Sequence, residues 1–148
     1  LKGKNPVKKI IGRQEHIDLP ELHLFQVAAK IDTGAFSSSL HCHQIELTHK
    51  NGKKTLHFRV LDPKHEDYNN RDFYFEDYTT KIIKSSTGEE ENRFIIQTTV
   101  QIFNKKILTD FSLTNRQQMK FPILLGRKFL KHRFVVDVDK KNLSHKKI

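Results

Sequence analysis

Asp32, Thr33 and Gly34 follow directly on the apolar stretch 24–31, so a carboxylate stands where a buried strand is about to turn. An ionised carboxylate there is costly unless the fold supplies donors or a second acid to share a proton. Thr33 brings a hydroxyl able to hydrogen-bond across to a partner, and Gly34 a backbone open to unusual angles and close approach. The same three residues also suit an ordinary exit from strand to turn, where Asp and Gly are common for conformational reasons. A second group, His41, Cys42 and His43, sets two imidazoles at alternate positions of a strand, where they share a face and could flank a metal. A third ligand is not identifiable, no His-Glu-x-x-His helix is present, and the 9 histidines are otherwise scattered. No metal and no cofactor is therefore expected. Asp110, Asp137 and Asp139 read as strand-end or surface carboxylates.

The elements that must hold these groups are short. Residues 7–12 could form a strand, and residues 16–22, with Pro20, read as an irregular connection. Residues 24–31 make the first full strand, leading into Asp32. Residues 40–47 and 55–61 read as a hairpin around Asn51-Gly52, a pair that tolerates positive φ. A polar loop spans 62–72, and 73–75 is a short aromatic strand. Residues 81–84 and 93–100 flank a polar tip, Ser85 to Glu91. Strands are expected at 100–103 and 106–113 with Asn104 between them, then at 123–125 and 134–138, with one short helix over 126–132. Many short strands with one helix describe an all-β domain, barrel-like or sandwich-like.

With 148 residues, one domain is expected: a basic arm at 1–9, a body at 10–139 and a basic tail at 140–148. The 36% hydrophobic content, with 11 Phe, is too high for a disordered chain. No apolar run reaches bilayer length, so no membrane span is expected. Lys and Arg number 27 against 17 Asp and Glu, a formal charge of +10 that favours acidic partners. Much of it sits at the ends (Lys2, Lys4, Lys8, Lys9, Lys140, Lys141, Lys146, Lys147), without the interleaved aromatics of a single-strand binder, so nucleic acid is not the expected partner. The lone Cys42 excludes an intramolecular disulfide and leaves the compartment, cytoplasmic or periplasmic, open.

The run Ile123-Leu124-Leu125-Gly126-Arg127, downstream of Asp32-Thr33-Gly34-Ala35 with a glycine-tipped hairpin between, resembles the retropepsin-like aspartic peptidases. A closer resemblance, carried by residues 11–13, 18–20, 29–35, 39–41, Ser86, Gly88, Arg93 and 119–127, is to the bacterial family labelled ATP-dependent zinc proteases, which look retropepsin-like despite the label. The resemblance covers residues 10–139. It implies a closed retropepsin-like β-barrel with one short helix near the C-terminus. It also implies an aspartic endopeptidase with Asp32, Thr33 and Gly34 as catalytic loop, Ala35, Ser85, Ser86, Thr87 and Gly88 along the substrate, and Leu124, Leu125, Gly126 and Arg127 beneath the loop. One such loop per chain implies a homodimer, because the chemistry needs two carboxylates sharing a proton. Viral retropepsins carry an acid after Asp-Thr-Gly-Ala that pairs with the Gly-Arg arginine. Here Phe36 stands in its place, so Arg127 needs another partner. The family's association with ATP-grasp ligases that add glutamate, with the +10 charge, suggests acidic or glutamylated segments as substrate. The alternative is a catalytically silent protease-fold module that binds extended or acidic peptides.

Overall fold

The computed structural model describes residues 7–84, 87–115 and 120–144. Its strands are β1 (Lys9–Gly12), β2 (Gln14–Leu19), β3 (Leu24–Ile31), β4 (Ser38–Lys50), β5 (Lys53–Val60), β6 (Phe73–Phe75), β7 (Thr79–Lys84), β8 (Glu90–Ile102), β9 (Lys105–Thr114), β10 (Ile123–Leu125) and β11 (Phe134–Asp137), with one helix, α1 (Arg127–Leu130). Successive strand residues face opposite sides of a sheet, so alternation in the sequence becomes an inside and an outside. In β2 the inward set is Glu15, Ile17 and Leu19, and in β9 it is Ile107, Thr109, Phe111 and Leu113. The ring runs β10-β3-β2-β8-β9-β4 and closes because β10 also pairs with β4, making a six-stranded barrel. Closure removes the free edges that an open sheet of this size would present. The all-β retropepsin-like architecture expected from the sequence is the one observed.

The closing strand is the shortest. β10 lies parallel to β3, with Ile123 beside Ala29 and Leu125 beside Ile31, and antiparallel to β4, with Ile123 beside Leu40. Ile123 and Leu125 are completely buried, as suits a strand with barrel on both sides. Outside the ring, the far part of β4 pairs with β5, and β5 with β6, into a wing. Its hairpin turns at Asn51 and Gly52, both at positive φ (54° and 77°), as the pair predicted.

Three local expectations are corrected. Residues 16–19 are not irregular but belong to β2, and only Pro20–Leu22 forms a short 3-10 turn, where proline ends the strand. Residues 100–102 are the end of β8, a single strand of 13 residues, rather than a strand of their own. The turn after β8 uses Phe103 and Asn104, both at positive φ (51° and 62°), a conformation that phenylalanine does not advertise. The helix is shorter than 126–132, because Lys131 already has extended backbone angles.

The body also continues past residue 139. Lys140 O accepts from Arg13 N (2.8 Å), Asn142 N donates to Gln14 O (2.7 Å), and Ser144 N donates to Glu15 Oε1 (2.7 Å). Glu15 is fully buried, and its other oxygen accepts from Gly12 N at 2.8 Å. A Cβ at Gly12 would lie 2.5 Å from Lys140 O, so this glycine lets the strap 140–144 close over β1.

Candidate active site

β3 delivers Asp32 to the open end of the barrel, and the neighbouring elements fix the loop after it. Asp32 N donates to Leu125 O (2.9 Å), which ties the loop to the buried closing strand, and Ala35 N returns to Asp32 O (3.3 Å). Beneath, Gly126 N donates to Ser38 Oγ (3.1 Å), Arg127 N to Ala35 O (2.8 Å) and Lys128 N to Phe36 O (2.9 Å). A Cβ on Gly126 would meet Ser37 O at 2.5 Å and the Ala35 and Phe36 carbonyls at 2.8 Å, so only glycine lets the strand-to-helix corner pass under the loop. The four residues expected beneath the loop, Leu124, Leu125, Gly126 and Arg127, do lie in the strand and corner that carry these contacts.

Arg127 has found its partners. Its guanidinium donates to Thr33 O (3.0 Å) and lies 5.9 Å from the centre of the Phe36 ring, so a carbonyl and an aromatic face stand where viral retropepsins have an acid. Gly34 works differently from the sequence expectation. Its φ is not positive; what matters is that a Cβ there would lie 3.2 Å from Asp32 Oδ1, the atom to which Gly34 N donates at 3.0 Å. That is the one hydrogen bond the Asp32 carboxylate accepts among the described residues. Asp32 is half-buried, while Thr33 and Gly34 are exposed.

Asp32 borders a cleft of about 710 Å³. The loop side is formed by Ala35, Phe36 and Ser39; the β7–β8 hairpin contributes Lys81, Arg93 and Ile95 from across the cleft. Of the hairpin tip, Thr87 and Gly88 are exposed, and Gly88 has φ 86° with open space where a Cβ would be. Ser85 and Ser86 lie outside the described residues. The cleft is also lined by Asp110 and Ser112 of β9, by Lys128 of α1 and by Arg133 after it. Lys128 Nζ is 2.6 Å from Asp110 Oδ2, and this hydrogen bond holds the Asp110 carboxyl below the usual range against the opposing effect of burial. Asp110 therefore shares the cleft but is neutralised there as an ion pair. Two buried polar atoms on the cleft walls, Arg93 Nε and Ser112 Oγ, have no hydrogen-bond partner among the described residues.

The sequence did not single out Lys81, Asp110, Lys128 or Arg133 as cleft residues. They come from separate strands and a corner, and no spacing links them. The histidine pair is spent on structure: His43 Nδ1 donates to Leu61 O (2.8 Å) and its Nε2 lies 3.3 Å from Tyr68 Oη. His41 is buried, which pushes its pKa down, and burial likewise pushes the Cys42 thiol up. Among the described residues no group of three or more His, Cys, Asp or Glu is arranged to hold a metal ion. No helix among them is long and apolar enough to cross a membrane.

A family model described as RimB-like, retropepsin-like aspartic endopeptidase RimB, matches residues 10–147. A probable alpha-L-glutamate ligase of Desulfotalea psychrophila is 34% identical over 131 residues, covering 88% of this chain. One of Shewanella pealeana with the same name is 31% identical over 134 residues. The chain spans only 28% of the length of either relative. Among solved structures, a Legionella pneumophila protein of unknown function, Lpg0085, is 27% identical with a TM-score of 0.71, over 93% of this chain and 99% of that one.

Proposed function

From the premise that the chain belongs to the RimB-like family of retropepsin-like aspartic endopeptidases, we propose that it hydrolyses peptide bonds as a homodimer in which each subunit supplies Asp32. The observation that carries this reading is the Asp32 loop itself, pinned by β10 and α1 at the edge of a cleft of about 710 Å³, with its carboxylate engaged only by Gly34 N among the described residues. Two such carboxylates about 3 Å apart cannot both ionise, so the pair holds one proton. The ionised Asp32 takes a proton from water as the water oxygen bonds to the scissile carbonyl carbon. The protonated one gives its proton to the carbonyl oxygen. Collapse of the tetrahedral diol breaks the C–N bond, and the amine leaves with a proton returned by the pair. Thr33 and Gly34 keep the loops in register. Ala35, with Thr87 and Gly88 of the hairpin tip, lines an extended substrate and excludes water.

Lys81, Arg93 and Arg133 around the cleft support an acidic or glutamylated segment as substrate, and the glutamate-ligase names of the longer relatives are consistent with that chemistry. The zinc-protease label is not adopted, because the His41-Cys42-His43 group is committed to structural contacts. The second reading is a silent protease-fold module that binds extended or acidic peptides in the same cleft.

The test is cleavage of glutamate-rich and unmodified peptides across acidic to neutral pH by wild type and Asp32→Asn, with and without a chelator. The expected result is cuts that vanish in Asp32→Asn, persist in the chelator and concentrate in acidic segments. Binding without cleavage in both proteins would select the silent module.

A further inference from the structure

Two phenylalanines on β3 and its exit stand out to almost the same degree, Phe25 at 58% exposed and Phe36 at 57%. They occupy opposite ends of the same strand-and-turn segment. Phe25 is the second residue of β3, seven positions before Asp32, whereas Phe36 lies four positions after it. The turn closed by Ala35 N on Asp32 O leads directly into Phe36, and Lys128 N on Phe36 O holds its backbone to α1. Its ring borders two depressions at once: the Asp32 cleft, and a shallow recess of about 480 Å³ formed with Lys128, Lys131, His132 and Arg133.

We propose that Phe36 is an anchor of the subunit interface, packing against a second copy of this chain beside the paired Asp32 loops. This rests on the dimeric reading above and adds which side chain holds the seam. The argument is one of reach. Carboxylates close enough to share a proton bring the two loops into contact across the twofold axis, and consecutive Cα atoms are 3.8 Å apart, so an exposed ring this near the loop lies in or beside that contact. An exposed aromatic on a pinned backbone loses little conformational freedom when covered, which is the character of an interface anchor. The cations around it decide its chemistry. In an isologous contact the Arg127, Lys128 and Lys131 side chains of both copies are gathered at one seam, so their like charges oppose association and an apolar side chain must favour it. Viral retropepsins keep an acid at this position; here the phenylalanine covers the Arg127 guanidinium instead.

The chain contains no tryptophan, which permits a direct readout. Phe36→Trp and Phe25→Trp are each made as single-tryptophan reporters in the full chain, and emission is followed with protein concentration alongside sedimentation equilibrium. The expected result is a blue shift of the residue-36 reporter that tracks dimer formation, with the residue-25 reporter unmoved. Phe36→Ala weakens dimerisation about 30-fold, the scale of an interface hot spot, with an unchanged circular dichroism spectrum and a thermal midpoint that falls only as far as the lost association requires, while Phe25→Ala leaves the dimer constant alone. A wild-type dimer whose constant survives Phe36→Ala, with a residue-36 reporter that does not shift, overturns this inference and leaves the dimeric peptidase standing. If Phe36→Ala changes only KM, the ring is a substrate wall and the inference is likewise overturned. A wild type that stays monomeric to millimolar concentration removes both readings together.

Discussion

Asp32 stands at the end of the apolar strand β3 and Asp72 at the end of the polar loop 62–72, and the chain treats the two aspartates in opposite ways. Asp72 is saturated. Arg59 donates to it through Nε (2.8 Å) and Nη2 (3.2 Å), and His57 Nε2 lies 2.7 Å from the same carboxylate. The His57 ring is held on its other side by Glu46 (3.0 Å) and stacks on Tyr74 at 4.8 Å. These hydrogen bonds, Arg59's first, bring the Asp72 pKa down to about 2 and push that of Arg59 up. Asp32 has a pinned backbone and a nearly unengaged side chain. A carboxylate surrounded by cationic donors is a fastener for the wing, whereas Asp32 is held by its backbone and borders the cleft. A large pKa displacement, often a guide to active sites, here marks the structural group.

Substitutions at the two positions should therefore separate. Asp32→Asn is expected to lower peptide cleavage by about 10³-fold or more with no change in thermal midpoint, read by steady-state assay and calorimetry. Asp72→Asn should do the reverse, lowering the midpoint slightly with cleavage intact; a loss of cleavage there would break the contrast. Gly126→Ala tests the pinning under Asp32: three backbone carbonyls stand within 2.8 Å of the added carbon, so we expect a cost of about 1–3 kcal/mol in chemical denaturation, together with impaired cleavage.

Glu15→Ala removes the buried acceptor of Gly12 N and Ser144 N, for a loss of about 1–3 kcal/mol. Hydrogen exchange at Ser144 should quicken while cleavage persists, since the strap does not touch the cleft loop.

The smallest effect is on the pH dependence of stability. The folded pKa of Asp72 is depressed, so its contribution is present above the ordinary value of 3.8 and is lost as pH falls through about 2. For His41 burial disfavours the charged form, so stability falls as pH drops below 6.5, its ordinary value. Denaturation midpoints from pH 7 to 2 should decline throughout, and Asp72→Asn should flatten only the acid end.

Legibility followed the range of the interactions. The β3 strand, the Asn51-Gly52 turn and the Ile123-Leu124-Leu125-Gly126-Arg127 run were readable because each is a local pattern of burial, φ or apolar character. The strand β2 was missed because Glu15 sits at an inward position and looks polar, although the fold buries it under the strap. The long β8 was split because nothing in Val100 to Phe103 marks a strand end, and the turn uses Phe103 in a conformation that phenylalanine seldom adopts.

By itself the sequence determined an all-β chain with one aspartate loop and the apolar-Gly-Arg run that belongs beneath it, because alternation, turn chemistry and short motifs are properties of neighbours along the chain. Only the tertiary structure decided that Asp110 is neutralised by Lys128, that Arg127 rests on Thr33 and Phe36, and that residues 140–144 close over Gly12. Those outcomes depend on distances between segments far apart in sequence, and such distances are set by closing the barrel.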